Sequence, residues 1–478
     1  MQDINQTIDL LNTALESINT TLQNINTTLQ NINTTSITQL NKLIDVCSLN
    51  LSQHTPVPSS LLVNLKQTLL HPPIGLDFDS ILELLQKIIS ITDFDTITNI
   101  YSLSDLQSAL DSNIPQLAIS TLHIINSSPS PLCYPHVLQL YFNVSTQISI
   151  VSQIEIFFSN NPIFKSYLLT QTESHICLQS ARSSNDPIIF ARALTLLQSL
   201  FTSFNTTNSF NLDKKIFFFS SNDLFKLLQS DILCFINLTN YHTSLLDSIL
   251  TSTSHWSLPD FQPIFNAYGS IYKDIDTYPD IQSFAKTHIF KLFAKISYLN
   301  DSSIYHALDT SYLKISPICP DIVDFLSFTN PNYLFIHHNS LCTRFSIFKP
   351  SNIPILRNLI TLPQTFQLIT PNINSLLQLP YLEQMVLLQK MSQYHHCIVF
   401  LINNCPSIIS NLLNTNKSNI IESETVELRN EVLENFLHFD KSILDVWFEP
   451  LKKEYNSTPT YTPQIALIKK KKKFNNTI

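Results

Sequence analysis

In 478 residues this chain uses glycine only twice, at Gly75 and Gly269, and that scarcity closes off more folds than any motif opens. Glycine lets a backbone reach positive φ, turn a two-residue hairpin, or bring its amides against a phosphate. A chain nearly without it is poorly suited to a dinucleotide-binding crossover, a P-loop or a kinase phosphate lid. Proline occurs 25 times, and it is tolerated in the first turn of a helix and in the connection ahead of it. Many short helices separated by proline-marked turns satisfy both counts.

The length exceeds what one hydrophobic core usually serves, so the chain needs several domains or an array whose core extends in one direction. A hydrophobic fraction of 44% fills such an interior, yet no stretch approaches the roughly 18 consecutive apolar residues of a membrane span. The start, Met1-Gln2-Asp3-Ile4-Asn5, lacks a basic region followed by an apolar one, so secretion is not expected. The Asn-x-Ser/Thr triplets then follow from composition. Eight scattered cysteines form no C-x-x-C pair, the pattern of buried, reduced thiols.

Ile4, Ile8, Leu11, Leu15, Ile18, Leu22, Ile25, Leu29 and Ile32 step by four and three along one helix face. The seven-residue unit that starts at Ile18 is repeated from Ile25. Asn and Thr are weak helix formers, and charged flanking positions are missing, so a long capping helix over 1–37 fits better than a coiled coil. From 38 to 456 helix-length apolar patterns alternate with proline or Ser/Asn clusters. Examples are Phe78–Ile89, Pro115–Ile125, Pro131–Val151, Pro187–Phe201, Asp231–Leu250, Pro279–Leu299, Pro380–Met391 and Lys441–Tyr455. Ile281, Phe284, Ile289, Phe290, Leu292, Phe293 and Ile296 cover most of a cylinder, as in a helix sandwiched between neighbours. No segment reads as a strand series. The expected fold is all-α, a HEAT/armadillo-like α-solenoid forming a curved stack of helix pairs of about 40 residues, on the order of eleven or twelve of them. Residues 457–478 read as a disordered basic tail.

Chemistry-bearing constellations are few. His337-His338 and His395-His396 are neighbours, and neighbours on a helix point about 100° apart. Neither pair has a companion at metal-ligating spacing, so no metal and no cofactor are expected. No glycine-flanked serine marks a nucleophile elbow, and no catalytic residue is assigned. The net charge of −8 includes the run Lys469–Lys473; without those five lysines the body carries −13. An acidic body argues against a nucleic-acid groove and favours a basic protein partner. Asp274, Asp276 and Asp280, with Tyr272 and Tyr278, fall between two strongly apolar helices. Turn aspartates commonly serve as caps or solvated loop residues, but tyrosine beside carboxylates also suits a surface that grips a basic partner. These five are the candidate partner-binding residues. The lysine run fits a solvated tail, with nuclear import as the alternative.

Several segments carry a resemblance: Asp93-Phe94-Asp95 with Ile100-Tyr101-Ser102, Asn240-Tyr241-His242-Thr243, and Tyr278-Pro279-Asp280 running into Lys291-Leu292-Phe293-Ala294. Asn330-Pro331-Asn332-Tyr333-Leu334, Leu356-Arg357-Asn358-Leu359, Leu379-Pro380-Tyr381-Leu382-Glu383-Gln384-Met385 and Trp447-Phe448-Glu449-Pro450-Leu451 continue it. In this order, from about Cys47 to Tyr455, the chain resembles the fungal chaperones that assemble the base of the 26S proteasome. That family is also named for DNA mismatch repair in slow-growing cells, and its mammalian counterpart is called non-ATPase regulatory subunit 5. The N-terminal heptad duplication and the polylysine run depart from it.

The resemblance implies a C-shaped repeat stack that binds the C-terminal domain of one proteasomal AAA ATPase. It implies contacts with a neighbouring base ATPase and with the large non-ATPase base subunit, and departure before the proteasome matures. The expectation is a monomeric, cytoplasmic, non-catalytic chaperone without direct DNA or membrane binding. The rivals are a DNA-repair factor, which would want a basic stripe, and an importin-like adaptor, which would want Trp/Asn ladders where only Trp256 and Trp447 occur.

Overall fold

The computed structural model describes residues 4–24, 34–52, 55–112, 114–127, 133–201, 214–251, 261–414 and 423–457. Ile25, Leu29, Ile32, Trp256 and the Lys469–Lys473 run lie outside the described residues. Those described are helical or connecting, with no β-strand among them. They fall into two compact units: Met1–Ala267 with Ser283–Ala285, and Tyr268–Gln282 with Lys286–Ile478.

In the first unit the helices Thr34–Asn50, Phe78–Ile91, Pro115–Ser127, Ile148–Asn160, Pro187–Ser199 and Ile232–Thr251 each pack on the next. A second row lies against them, in which Ile4–Asn24 packs on Ser59–Leu70 and Leu103–Asp111 is followed by Tyr134–Phe142 and Thr172–Arg182. The second unit repeats the plan. One row runs Lys286–Ser297, Ile322–Phe328, Ile353–Leu359, Tyr381–Met391, Ser423–Leu437 and Phe448–Ser457; the other runs Pro331–His337, Pro363–Ile369 and His395–Asn404. Apart from the first pair of the second row, at 55, and the last pair of the second unit, at 25, row members start about 30 to 45 residues apart, the period of helix-pair repeats. Each unit is thus a two-row α-solenoid stack.

The sequence explains the starts. Pro162, Pro187, Pro331 and Pro363 open their helices, where the missing N–H would have had no partner anyway. Asp77, Asp93, Asn161, Asp186 and Asp301 cap first-turn amides, and Ser102 and Ser220 form capping boxes with Asp105 and Asp223. Helices packed between two row neighbours are apolar on more than one face: Ile81, Leu82, Leu84, Leu85, Ile88 and Ile89 are all buried in Phe78–Ile91. Full burial of one such side chain is worth about 1.5–3 kcal/mol.

At the N-terminus Ile8, Leu11, Leu15 and Ile18 are buried along one stripe. The asparagines beside them have a use that helix propensity does not reveal. Asn12 donates to Ser60 and accepts from Asn64, while Asn19 donates to the Asn64 carbonyl and accepts from Thr68. Residues seven apart thereby stitch this helix to Ser59–Leu70. The helix Thr34–Asn50 runs through residue 37.

Three expected helices are corrected. Pro131–Val151 is two helices, Tyr134–Phe142 and Ile148–Asn160. Arg192 takes the carbonyls of Tyr141 and Asn143, and the buried Thr146 hydroxyl takes that of Leu140, so the first helix is terminated by side chains. Lys441–Tyr455 breaks at Asp445, whose φ of 44° ends Lys441–Leu444 before Phe448–Ser457 begins. Pro279–Leu299 opens with a π-helical turn, Ile281–Ala285, before Lys286–Ser297. That turn leaves Phe284 exposed at 64%, whereas Ile281, Ile289, Phe290, Leu292, Phe293 and Ile296 are buried as expected.

The two glycines serve opposite ends. Gly75 has φ +89°, the left-handed region, in the turn before Phe78–Ile91. Gly269 is buried inside the helix Gln262–Lys273, where a side chain would strike Leu308 and Tyr312. All eight cysteines are free thiols, and six are buried. Among the described residues no single helix is long and apolar enough to cross a membrane. The apolar helices His395–Asn404 and Pro406–Asn414 meet at 92° and bury Cys397, Leu401, Ile409 and Leu412 in the second unit.

Candidate functional site: an acidic turn in the second unit

The helix Gln262–Lys273 ends where the Asp274 amide donates to Ser270, and the chain then tightens into a 3₁₀ turn over Ile275–Thr277. The Thr277 amide and hydroxyl both donate to the Asp274 carbonyl, at 2.9 and 2.6 Å. Ile275 is buried beneath the turn and anchors it. Pro279 is the first residue of the next helical segment, where its missing N–H would have had no partner, and the π-helical turn Ile281–Ala285 follows.

This backbone leaves Asp274, Asp276 and Asp280 exposed, with Tyr278 half-buried beside them. Neither Asp274 nor Asp280 makes a side-chain cap. Asp276 accepts one long hydrogen bond from Gln282 at 3.3 Å. The carboxylates therefore face solvent on one short turn, a locally negative surface on which Lys273 is the adjoining cation. Three like charges held this close raise the local attraction for a basic group, an effect screened within about 8 Å at physiological salt.

Tyr272 is placed elsewhere. It is 7% exposed, with its ring edge-on to Phe290, Phe293 and Phe325 at centroid distances of 5.7, 5.8 and 5.5 Å. Its hydroxyl donates to Asp321 Oδ2 at 2.8 Å. Burial and the Asp321 carboxylate push its phenol well above the ordinary range. Of the five candidates, the structure groups Asp274, Asp276, Tyr278 and Asp280 on one surface and puts Tyr272 in the core beneath it. Tyrosine and carboxylate adjoin in the sequence, but the Phe290/Phe293/Phe325 pocket that claims Tyr272 is assembled from two other helices.

A second polar constellation joins residues far apart in the sequence. The buried Asp309 accepts from the Tyr333 hydroxyl at 2.7 Å, from His338 Nε2 at 2.7 Å and from the Ile315 amide at 2.9 Å. These bonds hold its carboxyl below its usual value against the cost of burial, and they close the turn at Lys314, whose φ is 49°. His337 points away from its neighbour and stacks on His306 with ring centroids 4.4 Å apart. His396 donates to the Ile360 carbonyl, and His395 faces Phe439. Each histidine of the two pairs thus has its own packing partner. Among the described residues no three His, Cys, Asp or Glu side chains converge to hold a metal ion.

Two rows of helices in each unit, with the distinctive polar chemistry gathered in turns, define an all-α solenoid scaffold. Residues 19–247 match the family model described as DNA mismatch repair protein HSM3, N terminal domain, and residues 254–477 match the model of its C terminal domain. The chain belongs to the HSM3 family. Relatives named DNA mismatch repair protein HSM3 include that of Eremothecium gossypii, 31% identical over 88% of this chain and 91% of the relative. Those of Saccharomyces cerevisiae and Kluyveromyces lactis are each 28% identical over 87% of this chain, covering 90% and 91% of the relatives.

Proposed function

We propose that this protein is a non-catalytic chaperone for assembly of the base of the proteasomal 19S regulatory particle. It holds the C-terminal domain of one base-ring ATPase and delays docking of that subunit on the proteolytic core particle. The observation that carries the reading is the ordered similarity from about Cys47 to Tyr455 to the fungal base-assembly chaperones. The fold supports it, because a stacked helical array offers an extended surface made of many repeats. The exposed turn of Asp274, Asp276, Tyr278 and Asp280 is the proposed contact for a basic patch on the client. Charge complementarity of this kind speeds encounter and fixes orientation more than it adds affinity. Further contacts go to a neighbouring ATPase and the large non-ATPase base subunit, and the protein works as a monomer in the cytoplasm. Order of assembly follows from mutually exclusive binding, and no bond is made or broken.

A second reading, direct service in DNA mismatch repair, is favoured by the name its relatives carry. Against it stands the charge distribution, a body of −13 with one basic run at Lys469–Lys473. The test is a pulldown of the purified protein against the isolated C-terminal domains of the six proteasomal ATPases with duplex DNA as competitor. Retention of one domain indifferent to DNA supports the chaperone. Retention of none, with DNA bound instead, makes repair the primary function.

A further inference from the structure

Asp321 stands at the N-cap of Ile322–Phe328, yet its side chain caps nothing in that helix. Aspartate is among the residues best suited to accept from a helix's first amides, and here both oxygens are engaged elsewhere. Oδ2 accepts from the Tyr272 hydroxyl at 2.8 Å, and Oδ1 lies 2.6 Å from Lys286 Nζ. Tyr272 sits in the last turn of Gln262–Lys273, just before the acidic turn, and Lys286 opens the helix that follows it. One carboxylate from a third helix therefore grips the chain on both sides of the acidic turn. The grip is sheltered, with the side chains of Asp321 and Lys286 at 12% and 26% exposure.

We infer that Asp321 is the positioning residue of the turn 274–282, fixing its two ends so that Asp274, Asp276 and Asp280 are presented in one arrangement tied to the next helix pair. Between Tyr272 and Lys286 lie a single 3₁₀ turn and the whole π-helical turn Ile281–Ala285. Both are short, poorly bonded geometries that depend on their surroundings. Asp321 thus gives up its local cap for a long-range clasp. The functional value of the clasp rests on the turn being a partner surface; its mechanical action rests on the geometry alone.

Hydrogen exchange on the full chain separates the two. Asp321→Asn keeps an acceptor for Tyr272 but loses the ion pair, and Lys286→Met keeps the apolar stem while removing the charge. In both variants the amides of 274–282 exchange about tenfold faster, while Ile353–Leu359 and Tyr381–Met391 exchange as in the unmodified protein. Unchanged exchange in 274–282 in both variants overturns the clasp. Affinity for the ATPase domain retained in the pulldown is then measured for Asp321→Asn and for the triple change of Asp274, Asp276 and Asp280 to lysine. If the triple variant binds normally, the turn is lost as a partner surface while the exchange result still decides the clasp.

Discussion

Replacing Gly269 with alanine sets two effects of known size against each other. Glycine inside a helix costs about 0.8–1.0 kcal/mol relative to alanine, so the substitution strengthens the helix Gln262–Lys273 taken by itself. Its surroundings oppose the change. A Cβ at this position lies 2.8 Å from Leu308 Cδ1 and 2.8 Å from both Cγ and Cδ2 of Tyr312, well inside the roughly 3.5–4.0 Å at which carbon atoms rest. The Leu308 methyl can swing, but Cγ is the root of the Tyr312 ring, so relieving that contact turns the whole side chain or shifts the π-helical turn Asp309–Leu313 that carries it. Overpacking of this kind costs about 1–3 kcal/mol. Set against the propensity gain, Gly269→Ala loses up to about 2 kcal/mol, which corresponds to a change of up to about 30-fold in the opening equilibrium. Repeat arrays depart from two-state unfolding, so the assay is hydrogen exchange read separately for 262–273 and 302–313. Both segments exchange faster in the variant. Equal or slower exchange refutes the claim that close packing, and not tolerance, keeps this glycine in a chain that has only one other.

Arg429 is 2% exposed and donates to the Leu412 carbonyl and to Glu454. Arg429→Ala therefore destabilises the end of the second unit by about 3–5 kcal/mol, and the apolar Arg429→Met by less; limited proteolysis should release Phe448–Ser457 faster in the alanine variant. Burial pushes His242 from 6.5 down to about 3. A depressed histidine contributes stability that is full above pH 6.5 and lost as pH falls from there toward 3. His242→Leu should remove about 1.4 kcal/mol per pH unit of that decline, read as exchange in Ile232–Thr251 at pH 6.5 and 5. Reversing Asp274, Asp276 and Asp280 to lysine weakens client binding with helical circular dichroism unchanged; unchanged affinity removes the turn from the account.

The architecture was readable because it rests on local rules. Prolines at 115 and 187 mark helix starts, and the stripe Ile8, Leu11, Leu15, Ile18 is buried as its spacing requires. What escaped was decided by residues far away in the chain. The 143–147 break depends on Arg192, about fifty positions on, and its apolar flanks otherwise read as one helix. The exposure of Asp274, Asp276 and Asp280 is legible locally because carboxylates clustered in sequence also cluster on a turn. Tyr272 was misplaced because the rings that enclose it belong to Lys286–Ser297 and Ile322–Phe328. Asp309 with His338, and Asp321 with Lys286, lie 29 and 35 positions apart and leave no local pattern.

In the proposed function, holding the ATPase C-terminal domain and docking that subunit on the core particle exclude each other. Native gels of the ATPase that the pulldown identifies, titrated onto core particle at rising concentrations of this protein, measure that directly. Docking is expected to fall in proportion to the protein added, with the ATPase moving into a complex free of core particle. A stable complex of all three, or docking unaffected by saturating protein, contradicts it.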